Sequence, residues 1–270
     1  MILHGNFTLY RAGKRILIFI WLLSLFLPSS NKTFMKRIIV FLLNTLLTAS
    51  VFSQNIPEGH ILQYQQDFSE KSPISDFRSD DFQFWTIRTA DRNKYLEYNH
   101  DMKIDSSVGS PLNICMVDNF IFGDFIFEVS LMHPGDSAGC EFSVLFGMKD
   151  SLNYYGVNFT SAGKDQNIGI FVVEKGQKVE IPGTRNKSIR WNPGRWQKIR
   201  VERDIVDTSV KVFIDDQNEP YLETKDRTFI MGYTGFGSNS GRVRIDNIKI
   251  WSQTSIPEPA HFLKKYSGKI

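Results

Sequence analysis

Phe125, Phe127, Val129 and Leu131 alternate with a different set of side chains, and Cys140, Phe142, Val144 and Phe146 repeat the pattern a few residues later. A period of two places one set of side chains on each face of a strand, so each segment must bury one face against something else. Similar runs recur from Phe82–Arg88 to Arg242–Trp251, separated by breakers such as His133-Pro134-Gly135-Asp136 and Asn192-Pro193-Gly194. No stretch after the first 53 residues keeps a helical period. The pattern predicts an all-β chain, two antiparallel sheets packed as a sandwich. The 22 phenylalanines suit the thick core between such sheets. The N-terminal tail, the stretch from Lys71 to Asp81 and the residues from Ser255 onward read as irregular, being rich in Pro, Ser and charge.

The first 53 residues have a separate character. Ile16–Pro28 follows Arg11, Lys14 and Arg15, and Ile38–Phe52 follows Lys36 and Arg37; both apolar runs are short for a membrane span. The second has its own Met35, a basic start and a small-residue end, the layout of a cleaved export signal. The expected organisation is a leader over 1–53, with translation starting at Met35 and the upstream residues a mis-assigned start. A single sandwich domain over 54–270 follows, its core at about 67–251. The alternative for the first run is a membrane anchor. The leader predicts a periplasmic or extracellular protein that meets a membrane only if the leader is uncleaved; a monomer is expected.

Charge supports this division. The chain has 32 basic and 29 acidic residues, but the leader holds six basic ones and no acidic one, leaving 26 against 29. The apparent basicity therefore argues for no nucleic-acid partner. Cys115 and Cys140 lie in apolar strands of an exported chain, where either a bridge or two buried thiols is open. Neither has the spacing of a metal or catalytic thiol.

Phe122-Gly123-Asp124-Phe125, Asn153-Tyr154-Tyr155-Gly156-Val157-Asn158-Phe159 and Trp196-Gln197-Lys198-Ile199-Arg200-Val201-Glu202-Arg203 together resemble concanavalin A-like jelly rolls of the laminin-G and glucanase type. Val212-Phe213-Ile214-Asp215-Asp216 and the closing Arg244-Ile245-Asp246-Asn247-Ile248-Lys249-Ile250 are similar to the ends of secreted bacterial domains labelled keto-disaccharide hydrolase-like. The resemblance spans Asp67 to Trp251. It implies a carbohydrate partner on a concave sheet, and a structural calcium on the opposite side. In that fold the first and last strands often pair, which nominates Asp67 and Asp246 as calcium ligands; the plainer role for Asp246 is to accept hydrogen bonds from turn amides. No other cofactor is implied. The Glu-x-Asp-x-x-Glu run of the glucanases is absent, so their mechanism is not carried over.

If the strands around Phe127 and Phe142 form a hairpin with both apolar faces inward, Glu128 comes opposite Glu141. Cross-strand carboxylates at about 5 Å have the spacing a retaining glycosidase uses for its acid and nucleophile. The alternative is two solvated glutamates relieved by a neighbouring Lys or Arg. Tyr154 and Asn158 fall on the same predicted face and suit a sugar, one by its ring and the other by its amide. His133, Arg190 and Trp191 are placed at the rim, with a plain turn role open for His133 and an edge plug for Trp191. Gly-x-Ser-x-Gly and His-Glu-x-x-His motifs are absent, which removes serine-esterase and zinc-protease chemistry. Three functions follow: an exported carbohydrate-binding sandwich, a glycoside hydrolase or lyase using Glu128 and Glu141, and a laminin-G-like protein-binding module.

Overall fold

Alternating apolar residues become strands along almost the whole described chain. The computed structural model describes residues 56–70, 73–100, 113–135, 140–160, 167–185 and 192–266. The leader, Arg190 and Trp191 lie outside the described residues. In chain order the strands are β1 (Ile61–Gln66), β2 (Phe77–Ser79), β3 (Trp85–Ala90), β4 (Asn93–His100), β5 (Asn113–Val117) and β6 (Phe120–Phe122). Then come β7 (Phe125–Met132), β8 (Glu141–Asp150), β9 (Asn153–Thr160), β10 (Asn167–Glu174), β11 (Gln177–Ile181) and β12 (Thr184–Arg185). The last are β13 (Gln197–Asp204), β14 (Ser209–Ile214), β15 (Leu222–Lys225), β16 (Tyr233–Ser252), β17 (Ser255–Pro257) and β18 (Lys264–Lys265).

The expected strand Arg242–Trp251 and the last four residues of Phe229–Phe236 prove to be parts of one 20-residue strand, β16. Its N-terminal half pairs with β5 and β8, and its C-terminal half pairs with β1, β4 and β7. Two layers result. Sheet I runs from β3 and β4, with β1 beside them, through β16 and β7 to β13, β14, β15 and β12; sheet II runs β18-β2-β5-β16-β8-β9-β10-β11. The inner faces of both layers join in one apolar core that includes Phe127, Val129, Phe142, Phe146, Phe236 and Ile250. The all-β antiparallel expectation holds, and so does the inward set read from the alternation.

The hairpin assumed around Glu128 and Glu141 does not form. β7 lies between β16 and β13 in sheet I, while β8 lies between β16 and β9 in sheet II. Both strands bury their alternate apolar residues, as the sequence requires, but each buries them from its own side of the core. Same-facing patterns are equally consistent with a hairpin or with two strands in opposed layers, and only the long-range pairing to β16 decides.

Three stretches read as irregular contribute strands. β1 lies before the expected core, β2 lies within the Lys71–Asp81 stretch, and β17 and β18 follow Ser255. They are short or polar edge pieces whose pairing comes from distant partners. The C-terminal segment is fixed onto the outer face of sheet II: Ala260 N donates to Asp118 Oδ1 at 3.1 Å and Arg78 Nη1 donates to Leu263 O at 3.2 Å. Arg78 also pairs with buried Asp118 at 2.8 Å. Beneath this segment Ile114, Met116, Leu145, Met148 and Tyr233 form a second apolar cluster with Ala260 and Leu263. Cys115 and Cys140 are separate buried thiols, so the bridge is not made. Burial raises both thiols well above their ordinary range.

Candidate functional sites

The outer face of sheet II changes character along its strands. The cross-strand row Leu145–Gly156–Phe171–Glu180 lies beside the apolar cluster, whereas Ser143–Asn158–Gly169 and Glu141–Thr160 make polar rows next to it. A two-residue turn, Lys175-Gly176 with φ values of 50° and 80°, returns the chain into β11 and places Lys178 and Glu180 on this face. Asn158, Thr160, Gly169, Phe171, Lys178 and Glu180 border a hollow of about 130 Å³.

The hollow is held open by specific contacts. Gly156 lets the Phe171 ring lie on the backbone; a Cβ there would sit 2.2 Å from the ring. The Lys178 ammonium stands 4.3 Å from the centre of that ring and 3.7 Å from Glu141 Oε1. Ser143 Oγ donates to Asn158 Oδ1 at 3.2 Å, and Asn158 Nδ2 donates to Thr160 Oγ1 at 3.0 Å. These bonds fix the amide and leave hydroxyl, amide, ammonium and carboxylate groups converging over a partly apolar floor. That is the mixture that orients a polyol.

The second concavity lies on the outer face of sheet I and measures about 680 Å³. A bulge in β16 between Asp246 and Lys249 makes it: Ile245 and Ile248 both turn inward, Asp246 turns outward opposite Ser130, and Asn247 takes φ 52°. The β3–β4 turn, Asp91-Arg92 with both φ values positive, brings Arg92, Asn93 and Lys94 to the same edge. Asn93 Nδ2 donates to Asp246 Oδ2 at 2.8 Å, and Asn247 N donates to Asp246 Oδ1 at 2.7 Å. Trp196 forms a wall, its half-buried indole packed edge-on against Tyr95 with 6.0 Å between ring centres.

Asp67 lines this cleft as well, because β1 pairs with the end of β16 as the resemblance implies. Burial, with Asp67 adding to it, holds the Asp246 carboxyl above the usual aspartate range. Asp67 is exposed and held below its usual range by hydrogen bonds from Ser69. A buried carboxylate facing a second carboxylate favours a cation between them. Their oxygens, with the neighbouring amide side chains, are the hard donors calcium takes. Among the described residues no group of three or more His, Cys, Asp or Glu side chains assembles for a metal, so a calcium here would be held by Asp67 and Asp246 alone among carboxylates.

The other nominated residues divide. Asn158 and Glu141 come together at the sheet II hollow. Tyr154 lies on the same strand but is fully buried in the second apolar cluster, its ring 6.3 Å from that of Phe171, so it supports the floor and offers no stacking face. Glu128 is on the outer face of sheet I, buried, with Lys198 Nζ at 3.2 Å and with Arg200 and Lys249 as its cross-strand neighbours. Glu128 and Glu141 therefore point away from the core on opposite sides of it and do not make a carboxylate pair. His133 is buried at the end of β7; its Nδ1 accepts from Gly135 N at 3.4 Å and its carbonyl accepts from Gly194 N at 2.7 Å, which is a turn-building role.

Thr160, Lys178 and Glu180 were not nominated, nor were Asn93, Trp196 and Asn247. Signals existed for some of them. Lys175-Gly176 is a hairpin turn that would have carried the reading into β11, and Asp91-Arg92 occupies the same position between β3 and β4.

No family model matches this sequence, and no curated protein matches it. Solved structures do. A protein of unknown function with a galectin-like fold from Bacillus subtilis superposes with a TM-score of 0.52 at 11% identity, covering 73% of this chain and 97% of the other. The carbohydrate-binding module CBM66 from Bacillus subtilis gives 0.45 at 14% identity, over 66% of this chain and 93% of the module. Domain 4 of AbnA, a GH43 extracellular arabinanase from Geobacillus stearothermophilus in complex with arabinotriose, gives 0.45 at 10% identity, over 72% and 93%. The likeness is one of fold. This chain has an antiparallel β-sandwich fold like that of the galectin-like protein.

Proposed function

We propose that this chain is an exported carbohydrate-binding sandwich that holds a sugar in the sheet II hollow around Asn158. One observation carries the reading: next to the apolar cluster that the C-terminal segment covers, the outer face of sheet II turns polar where β9, β10 and β11 border the hollow. Sugars need directional partners for hydroxyls and an apolar surface for their CH groups. Asn158, Thr160, Glu180 and Lys178 supply the first, above a Phe171 ring that is itself buried between Gly156 and the Lys178 ammonium.

Titration with a panel of neutral oligosaccharides tests it. Asn158→Ala and Lys178→Ala should each weaken binding about tenfold, the loss of one directional contact, in protein that remains folded. Binding that is the same in both variants would sink the assignment. Export rests on the basic start, apolar run and small-residue end of residues 35–53. Sequencing the N-terminus of protein recovered outside the cytoplasm should give an end near Gln54; an intact residue 1 would refute a cleaved leader.

A further inference from the structure

We infer that the Asp246 cleft of sheet I is a second carbohydrate site, so that one chain can hold two glycans on opposite faces. The inference rests on the sugar-binding reading above. The cleft is the larger of the two concavities, about 680 Å³ against about 130 Å³, and its volume far exceeds what a single ion fills. Its wall is a rigid aromatic surface, since the Trp196 indole is packed edge-on against Tyr95, and Tyr95 is in turn covered by the Arg244 guanidinium at 5.0 Å. An indole fixed in this way presents a flat apolar surface at little entropic cost, the usual seat for the CH face of a pyranose.

The polar groups are arranged to read hydroxyls. Asp246 is buried with both oxygens already oriented, one by Asn93 and the other by Asn247 N. The Asn93 and Asn247 side chains are exposed at the opening. Arg92 and Lys94 balance Asp67 and Asp246 in formal charge, which suits a neutral polyol better than an anionic chain. The bulge at Asp246 lets Ile245 and Ile248 both face the core while Asn247 is exposed at the cleft.

The consequence is bivalency from a monomer. Because the hollow is on the outer face of sheet II and the cleft on the outer face of sheet I, two sugar chains can be held with the sandwich between them. Calorimetric titration of the whole protein with arabino-, fructo-, galacto-, xylo- and gluco-oligosaccharides should give two sites per chain. Trp196→Ala should remove one and Asn158→Ala the other. Asn247→Gly is the second probe of the cleft, since glycine keeps the positive φ of the bulge while removing the amide; it should weaken the cleft site about tenfold. One site that is lost in Asn158→Ala and intact in both cleft variants would overturn the inference and leave the sugar reading standing. One site lost only in the cleft variants would overturn the assignment to the hollow along with the two-site inference, and no binding across the panel would overturn both.

Discussion

The Asn93 amide donates to Asp246 Oδ2 at 2.8 Å across 153 residues of sequence. The bond ties the β3–β4 turn to the bulge in the longest strand, and beside it Asp67 brings a second carboxylate. The Asp67 charge adds to the burial that raises the Asp246 carboxyl, so a cation bound between the two would stabilise the folded chain. Calcium should therefore raise the melting temperature. At a concentration of about 100 times Kd the gain is about 2.7 kcal/mol, or roughly 5–10 °C for a domain of this size. Asp246→Asn should abolish the rise. Scanning calorimetry in calcium and in chelator checks it, and identical curves would remove the metal.

Gly156 determines where Phe171 sits. The ring is buried over the glycine, and a Cβ would meet it at 2.2 Å. Gly156→Ala must push the ring toward Tyr154 or up into the hollow, since the backbone of β9 is held by β8 and β10 on both sides. Overpacking of this kind costs about 1–3 kcal/mol. Urea unfolding should show that loss, and the sheet II site should weaken in the same variant. A variant as stable as the parent that binds as well would mean that Phe171 does not form the floor.

How much of this was legible in the sequence depended on range. Alternation at Phe125–Leu131 and Cys140–Phe146 is local, and it predicted the strands and their buried faces. The partner of each strand is not local: β7 and β8 are consecutive and still lie in different sheets, because β16 reaches both. That one long-range fact separates Glu128 from Glu141. Asp67 and Asp246 line one cleft because β1 pairs with the end of β16, and a pairing of first and last strands is a property of the topology, not of local pattern. Tyr154 was placed on the right face, but its burial depends on the C-terminal segment, whose Ala260 and Leu263 give no periodic signal. Asn93, Lys178 and Glu180 flank two-residue turns, where position follows from turn geometry and not from hydrophobic pattern.

Alkaline pH should expose the role of Tyr155. Its hydroxyl donates to Asp226 and accepts from Phe229 N at 3.0 Å, and Arg203 lies 5.5 Å from its ring. Burial, reinforced by the bond to Asp226, pushes its pKa up to about 12 from 10.0. Below the lower value neither the folded nor the unfolded chain ionises at this site, so stability is fully present. Between the two values the unfolded chain loses its proton while the folded chain keeps it, so stability falls as pH rises, by up to about 2–3 kcal/mol. Tyr98, raised to about 12 by burial, contributes in the same window. Tyr155→Phe should cost about 1–3 kcal/mol at pH 8 through the unpaired Phe229 N and the lost bond to Asp226, which keeps Thr228 N, and should flatten the alkaline fall. Equilibrium unfolding at a series of pH values measures both; an unaltered slope in the variant would refute the assignment.

The separation of Glu128 from Glu141 has an energetic signature. Stacked sheets lie about 10 Å apart, and both side chains point away from the space between them, so their carboxylates are farther apart than that. Each has its own cation: Lys198 at 3.2 Å from buried Glu128, and Lys178 at 3.7 Å from the part-exposed Glu141. Glu128→Gln should cost about 1.5–3 kcal/mol, the loss of a charge-assisted contact at a buried site, since part-exposed Lys198 keeps Asp216 Oδ1 at 2.9 Å. Glu141→Gln should cost less than about 1 kcal/mol, as at other exposed pairs. The double variant should equal the sum of the two within about 0.5 kcal/mol. A coupling well above that, or a glycosidase activity that either single change abolishes, would require the two carboxylates to act together at the roughly 5 Å that a retaining mechanism needs. No distortion that preserves the pairing of β7 and β8 to opposite halves of β16 brings them that close.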